Sequence, residues 1–247
     1  MKIRLDKLLV ERGLVPSRER AHALILAGKV LVNEQKIEKA GSSVDVNLPI
    51  RLLSEDLRYV SRGGLKLEKA LAHWQIDVEG KTCLDVGAST GGFTDCLLQH
   101  GAARVIAADT GHGQIAMKLR QDPHVSLLEK CNARYLRQEQ IAEPVALIVM
   151  DVSFISATLV LPAVVDAAFP VPERKGKRIV VLVKPQFEVG RDRVGKGGIV
   201  RDAEAQAAAV EKVRTALTSL GCVHTDAIES PVLGAEGNRE FLLYGEF

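Results

Sequence analysis

Two features of this 247-residue chain carry residue types and spacings that could do chemistry. The first is Leu84-Asp85-Val86-Gly87-Ala88-Ser89-Thr90-Gly91-Gly92-Phe93-Thr94-Asp95, an apolar run that ends in an acid, turns through glycines and enters a helical stretch. That layout holds a nucleoside cofactor in a doubly wound α/β sheet. The dinucleotide fingerprint G-x-G-x-x-G fails, because Ser89 stands at its second glycine. S-adenosylmethionine brings no pyrophosphate to the turn, and its carboxylate can lie near the helix N-terminus that opens around Gly92. Asp109, 22 residues beyond Gly87, stands close to the interval of about 20 expected for an acid that holds ribose hydroxyls. The expected cofactor residues are Gly87, Ser89, Thr90, Gly91 and Asp109, with Asp85 bracing the turn. Asn132 either approaches the adenine or serves as an ordinary turn residue.

The second feature is a set of four charges, Lys66, Asp151, Lys184 and Glu240. Asp151 ends the apolar run 145–150, Lys184 ends 179–183, Glu240 opens the last apolar run, and Lys66 sits on a helix that precedes the first. Ligands bind at the carboxyl ends of parallel strands, whereas any one of these lysines taken alone reads as a surface ion pair. Lys69 shares a helical face with Lys66 and is an alternative to it. Two other readings of the glycine motifs fall away. Gly87-x-Ser89-x-Gly91 spells a hydrolase nucleophile elbow, but it follows the first strand of its domain, where that fold has several strands before the elbow. Residues 190–196 match most of a phosphate-binding loop, but Gly197 replaces the hydroxyl residue that meets magnesium.

The elements that must position these residues follow from apolar period and turn chemistry. In residues 1–58, Leu5, Leu8 and Leu9 form one helical stripe. Pro16-Ser17 gives a turn and an N-cap, Ala21, Leu24 and Ile25 form a second stripe, and Gly28 stops it. Val30 to Val32, a turn at Asn33-Glu34, a return through Lys36-Ile37, and Val44, Val46 and Leu48 read as extended segments. Residues 59–64 read as a linker, and a helix over 65–74 opens the second domain, 65–247. Strands are expected near 81–86, 104–109, 125–128, 145–151, 178–184, 222–229 and 239–246, with helical stretches between all but the last pair. The last two strands lack room for a crossover and should pair antiparallel. The fold class is therefore α/β, a Rossmann-like, mostly parallel seven-stranded sheet preceded by a small α+β domain. A closing hairpin of this kind is typical of Rossmann-like methyltransferases. The irregular stretch 185–201, with glycines among Arg191, Arg193 and Lys196, is placed to close over a substrate.

The N-terminal pattern Arg4-Leu5-Asp6-x-x-Leu9, followed by Ser17-Arg18-x-x-Ala21-x-x-Leu24-Ile25-x-x-Gly28-x-Val30-x-Val32-Asn33, resembles the α-L RNA-binding module. Arg4, Lys7, Arg18, Arg20 and Lys29 are its candidate phosphate contacts, which suit folded RNA recognised by shape. Beyond it, Ser61-Arg62-Gly63-Gly64-Leu65-Lys66-Leu67, the turn 85–93, Met150-Asp151-Val152-Ser153-Phe154-Ile155-Ser156, Val183-Lys184-Pro185-Gln186-Phe187-Glu188 and Gly237-Asn238-Arg239-Glu240 resemble the TlyA family. That family joins the α-L module to an FtsJ-like catalytic domain and methylates ribose 2′-hydroxyls of ribosomal RNA. The resemblance implies that Lys66, Asp151, Lys184 and Glu240 are its catalytic tetrad, that S-adenosylmethionine is the cofactor, and that cytidine in ribosomal RNA or ribosomal subunits is the target. A lysine acting as base near neutrality needs its pKa lowered by about 3 units, a cost of about 4 kcal/mol. The expected role of Lys184 is therefore to orient the hydroxyl and stabilise the oxyanion.

Composition bounds the alternatives. Net charge is +2, but residues 1–60 hold eleven Lys/Arg against eight Asp/Glu, which agrees with an anionic partner for the first domain. The four cysteines form no C-x-x-C pair and the six histidines show no ligand spacing, so no metal is expected. Charge in residues 1–7 and the lack of an apolar run of about 18 residues point to a cytoplasmic protein without a membrane partner. A monomer is expected. Two rival functions are a pore-forming hemolysin, a label carried by proteins of this family, and a non-catalytic ribosome-assembly factor that binds RNA.

Overall fold

The computed structural model describes residues 2–15, 17–53, 58–234 and 237–247; Pro16 of the expected turn lies outside them. The chain divides into two compact units, Met1–Leu57 and Arg58–Phe247. In the first, β1 (Lys2–Arg4) runs into α1 (Leu5–Glu11), followed by α2 (Arg18–Leu26), β2 (Val30–Val32), β3 (Gln35–Lys36), β4 (Ser43–Asp45) and β5 (Ile50–Leu52). Leu5, Leu8 and Leu9 pack with Ala21, Leu24 and Ile25 in one core, as their helical spacing requires. Ser17 caps α2, its Oγ accepting from the Arg20 N–H at 3.2 Å. Asn33 and Glu34 both take positive φ, the tight-turn geometry that returns β3 antiparallel onto β2. β1, paired with β4, and β5, paired with β2, are additional to the expected strands. Segments of three residues are too short to display alternation.

The second unit opens with α3 (Gly63–His73) and continues through β6 (Thr82–Val86), α4 (Gly92–Gln99), β7 (Arg104–Ala108), α5 (Met117–Arg120) and β8 (Val125–Leu128). There follow β9 (Leu147–Met150), α6 (Leu161–Ala168), β10 (Arg178–Val183), α7 (Pro185–Glu188), α8 (Ala203–Ser219), β11 (His224–Glu229) and β12 (Phe241–Glu246). Seven strands form one sheet in the order β11-β12-β10-β9-β6-β7-β8. Pairs from β10 through β8 are parallel, and β12 is antiparallel to both β10 and β11. Each strand lies within two residues of its expected bounds. Between β8 and β9, however, two 3₁₀ turns at Ala133–Tyr135 and Gln138–Gln140 replace the expected helix. Ala133, Leu136 and Ile141 are too sparse there to give a helix a buried stripe.

The segment 59–64, expected to be a linker, packs on the second unit instead. Tyr59 is buried, a Cβ on Gly64 would overlap its ring, and the Val60 N–H donates to the Asp95 carboxylate at 2.7 Å. The sheet is covered on both faces at its centre, which is why β7, β9 and β10 read as nearly continuous apolar runs. Leu84, Val86, Ile148, Met150, Val181 and Val183 face α6 and α8, whereas Cys83, Val149, Val180 and Leu182 face α3 and α4.

β6 is flanked by β7 on one side and β9 on the other, so the chain's crossovers diverge there and open a crevice at the strands' carboxyl ends. Gly87, just past β6, has φ +85°, and a Cβ on it would lie 2.3 Å from the Asp151 carbonyl oxygen past β9. Only glycine combines that φ with so close an approach. Gly87→Ala should therefore cost at least about 2 kcal/mol of unfolding free energy through strain and the displaced strand end. Urea denaturation checks this, and a loss below about 0.5 kcal/mol would refute the packing argument.

Candidate active site

Two adjoining cavities of about 380 and 420 Å³ open at the strand ends and share Gly87, Ser89, Asp151, Ser153 and Phe154 as a common wall. The first is lined further by Lys66, Thr90, Lys184 and Glu240. Asp109, Gln114, Asn132 and Val152 line the second. All four tetrad residues expected from the sequence thus meet around one space, although they are spread over 174 positions of chain.

They meet as two ion pairs. Lys66 Nζ lies 2.5 Å from Glu240 Oε2, and both side chains are at least nine-tenths buried. α3 supplies the lysine and the residue before β12 the carboxylate, so the pair ties the leading helix to the closing hairpin. Lys69, the alternative on the same helical face, is exposed and lines neither cavity. Lys184 Nζ lies 2.6 Å from Asp151 Oδ1 and donates to Ser153 Oγ at 2.7 Å. Parallel pairing of β9 with β10 places these two strand ends side by side. Ser153 was not among the expected site residues; its position two residues past Asp151, on the same loop, was the available signal.

The glycine turn is held from two directions. Ser89 takes φ +49°, and its N–H donates to Asp109 Oδ2 at 2.8 Å while the Gly111 N–H donates to Asp109 Oδ1 at 2.6 Å. Asp109 thereby binds the loop after β6 to the loop after β7. A carboxylate offers about four lone-pair sites, so room remains for ribose hydroxyls. Gly91, at φ +96°, precedes α4 and offers no side chain to cap it, while Asp85, behind the turn, takes the Thr94 backbone N–H of the first turn as well as its hydroxyl. The Asn132 side chain accepts from the Arg134 N–H at 3.1 Å as a cap, the turn role expected of it, and the residue also lines the cavity that holds Asp109.

Asp85 lies behind the turn and lines neither cavity. Its Oδ2 accepts from the Thr94 hydroxyl at 2.6 Å, and Oδ1 is buried without a hydrogen-bond partner. Burial pushes its pKa from 3.8 up to about 7, against the opposing effect of the Thr94 hydrogen bonds. It braces the turn through α4 rather than touching the cavity.

In the first unit the expected RNA contacts separate into two sets. Arg4 and Arg18 converge on Asp6, at 3.0 and 2.8 Å, and the Arg4 hydrogen bond above all holds that buried carboxyl far below the usual range. Both guanidinium groups remain more than half exposed, with donors beyond those given to Asp6. Lys7 pairs with Glu11 along α1, Arg20 is half-buried, and Lys29 is exposed past α2. Among the described residues no group of three or more His, Cys, Asp or Glu is placed to hold a metal, and no helix is long and apolar enough to cross a membrane.

Comparison with known proteins agrees with this geometry. Residues 59–247 match the FtsJ-like methyltransferase family and residues 3–50 match the S4 domain. The 16S/23S rRNA (cytidine-2′-O)-methyltransferase TlyA of Mycobacterium tuberculosis is 45% identical over 98% of this chain and 89% of its own length. Hemolysin A of Brachyspira hyodysenteriae is 40% identical over 98% of this chain and 99% of its own. A solved structure from Streptococcus thermophilus, also named as a hemolysin, superposes with a TM-score of 0.74 at 42% identity, covering 99% of this chain and 88% of that one.

The raised pKa of Asp85 has a measurable consequence. The folded chain retains a proton there that the unfolded chain releases above pH 3.8, so this group's contribution to stability is full below pH 3.8 and is lost as the pH rises to about 7. Asp85→Asn should flatten the fall in unfolding free energy between about pH 4 and 7. An unchanged slope would show that Asp85 ionises normally.

Proposed function

The chain belongs to the TlyA group of FtsJ-like methyltransferases, with an S4 domain before the catalytic unit, and from that premise we propose how its residues methylate RNA. It is an S-adenosylmethionine-dependent methyltransferase that acts on the ribose 2′-hydroxyl of cytidine in ribosomal RNA. The reading takes it to be a cytoplasmic monomer whose basic first unit docks on folded RNA through Arg4, Lys7, Arg18, Arg20 and Lys29. The observation that carries the reading is the pair of lysine–carboxylate bridges lining one cavity, which adjoins the Asp109 cavity across Gly87.

S-adenosylmethionine supplies an electrophilic methyl group on a positively charged sulfur. Gly87, Ser89, Thr90, Gly91, Asp109 and Asn132 are the residues that would hold it, and the fit rests on the Asp109 carboxylate and the 420 Å³ cavity that it lines with Gly87, Ser89 and Asn132. The acceptor side belongs to the tetrad. A lysine ammonium has three N–H donors, and Lys184 gives one to Ser153 and directs its charge at Asp151. A remaining donor can hold the 2′-oxygen of the acceptor in line for attack. As the hydroxyl proton passes to water, negative charge gathers on the 2′-oxygen, where the fixed ammonium stabilises it while that oxygen takes the methyl group and the methyl–sulfur bond breaks to leave a neutral thioether. Asp151 and Ser153 fix the ammonium's direction, and the Lys66–Glu240 bridge fixes the opposite wall.

Replacing Lys184 by Ala should lower methyl transfer to ribosomal RNA by about 100-fold or more, the scale seen when one donor to a developing oxyanion is removed. Cofactor affinity, measured by calorimetry, should stay within about twofold of the parent. Near-parental turnover would exclude the role given to Lys184.

A further inference from the structure

α7 lies directly behind the site, four residues long, with Lys184 as its N-cap and Glu188 at its end. Lys184 reaches forward to Asp151 and Ser153. Glu188 reaches the other end of the same loop: its Oε2 accepts from the Ser156 hydroxyl at 2.5 Å and its Oε1 from the Ala157 N–H at 2.6 Å. The Glu188 side chain is only 2% exposed, lies 3.3 Å from Lys212 Nζ, and lines neither cavity. A carboxylate is costly to bury unless its lone pairs are used, and here they are spent on the loop that follows β9, which packs on the core through Val152 and Ile155. Residues 152–156 donate no backbone hydrogen bond to another backbone group among the described residues. Between the two anchored ends Phe154 is held at φ +65° with its side chain 92% exposed, a conformation that a bulky residue adopts only under constraint.

We propose that Glu188 is a positioning residue for methyl transfer, gripping the Ser156–Ala157 end of the loop so that Asp151 and Ser153 keep the Lys184 ammonium aimed into the cavity. The inference rests on the catalytic role given above to Lys184. The carboxylate never meets RNA or cofactor, and its effect on chemistry passes entirely through the loop. Lys212 offsets its charge from α8 and also donates to the Glu188 carbonyl at 2.8 Å, so the grip is itself fastened to a long helix.

The experiment measures turnover on ribosomal subunits per binding site, with sites counted by titration with S-adenosylhomocysteine. Glu188→Ala should keep one site per chain yet lose about 10- to 100-fold in kcat, the cost of misplacing a catalytic group by about 1 Å. Glu188→Gln, whose amide can accept from one partner and meet the other, should return to within about threefold of the parent. Combining Glu188→Ala with Ser153→Ala should cost no more than about twofold beyond the worse single variant, because both act on the same lysine. A kcat for Glu188→Ala within about twofold of the parent, or losses that multiply in the double variant, overturns the proposal. Should Glu188→Ala not fold, Ser156→Ala removes a single contact; about a threefold loss of kcat supports the grip and parental kcat overturns it. Lys184→Ala, run in parallel, separates the two levels: parental turnover there overturns the catalytic reading itself, whereas an inactive Lys184→Ala beside a parental Glu188→Ala overturns the grip alone.

Discussion

The bridge between Lys184 and Asp151 is the interaction on which the rest of the second unit depends. It exists because β9 and β10 are parallel neighbours whose carboxyl ends finish side by side, so that one residue past β9 and one past β10 meet at 2.6 Å. Every larger feature serves that meeting. The crossover helices bury both faces of the sheet and fix strand order, and β6 inserts beside β9 so that Gly87 abuts the Asp151 backbone. The antiparallel return of β12 brings Glu240 to Lys66 across the same space.

Placing two such bridges in a largely buried setting does not make the fold more stable. Removing two charges from water costs several kcal/mol per ion, and mutual attraction only about recovers it. A sheet built for stability alone would carry apolar side chains at these positions. The same charges become useful when oxygen must acquire negative charge, because they are already oriented and need no rearrangement. Asp85 shows the opposite solution to the same problem. It is fully buried with no cation beside it, and burial raises its pKa to about 7, which weakens its charge and leaves a brace for α4 rather than a charged participant.

Much of this was legible in the order of residues. Apolar runs located the central strands β7, β9 and β10, which are covered on both faces, whereas β6 carries the buried Asp85 and the edge strand β11, His-Thr-Asp-Ala-Ile-Glu, is polar at most positions. Strand-end position singled out Asp151 and Lys184, and a failed dinucleotide motif at Ser89 narrowed the cofactor. What could not be read depends on contacts far apart in sequence. Nothing local tells that residues 59–64 bury Tyr59 against Gly64 rather than hang free, or that Arg4 and Arg18 share Asp6 as a common anchor. The stretch after β8 has the length for a helix, yet its few apolar residues leave only 3₁₀ turns, one of them capped by Asn132. Glu188, at the foot of a four-residue helix, gives no periodic signal at all.

The most direct measurement is an experimental structure of this enzyme with S-adenosylhomocysteine and its ribosomal acceptor. The account predicts Lys184 Nζ within about 3 Å of the target cytidine's 2′-oxygen, still bridged to Asp151, with the cofactor's sulfur on the Gly87 side of that oxygen. A target oxygen more than about 5 Å from Lys184, beyond any direct hydrogen bond, would contradict it.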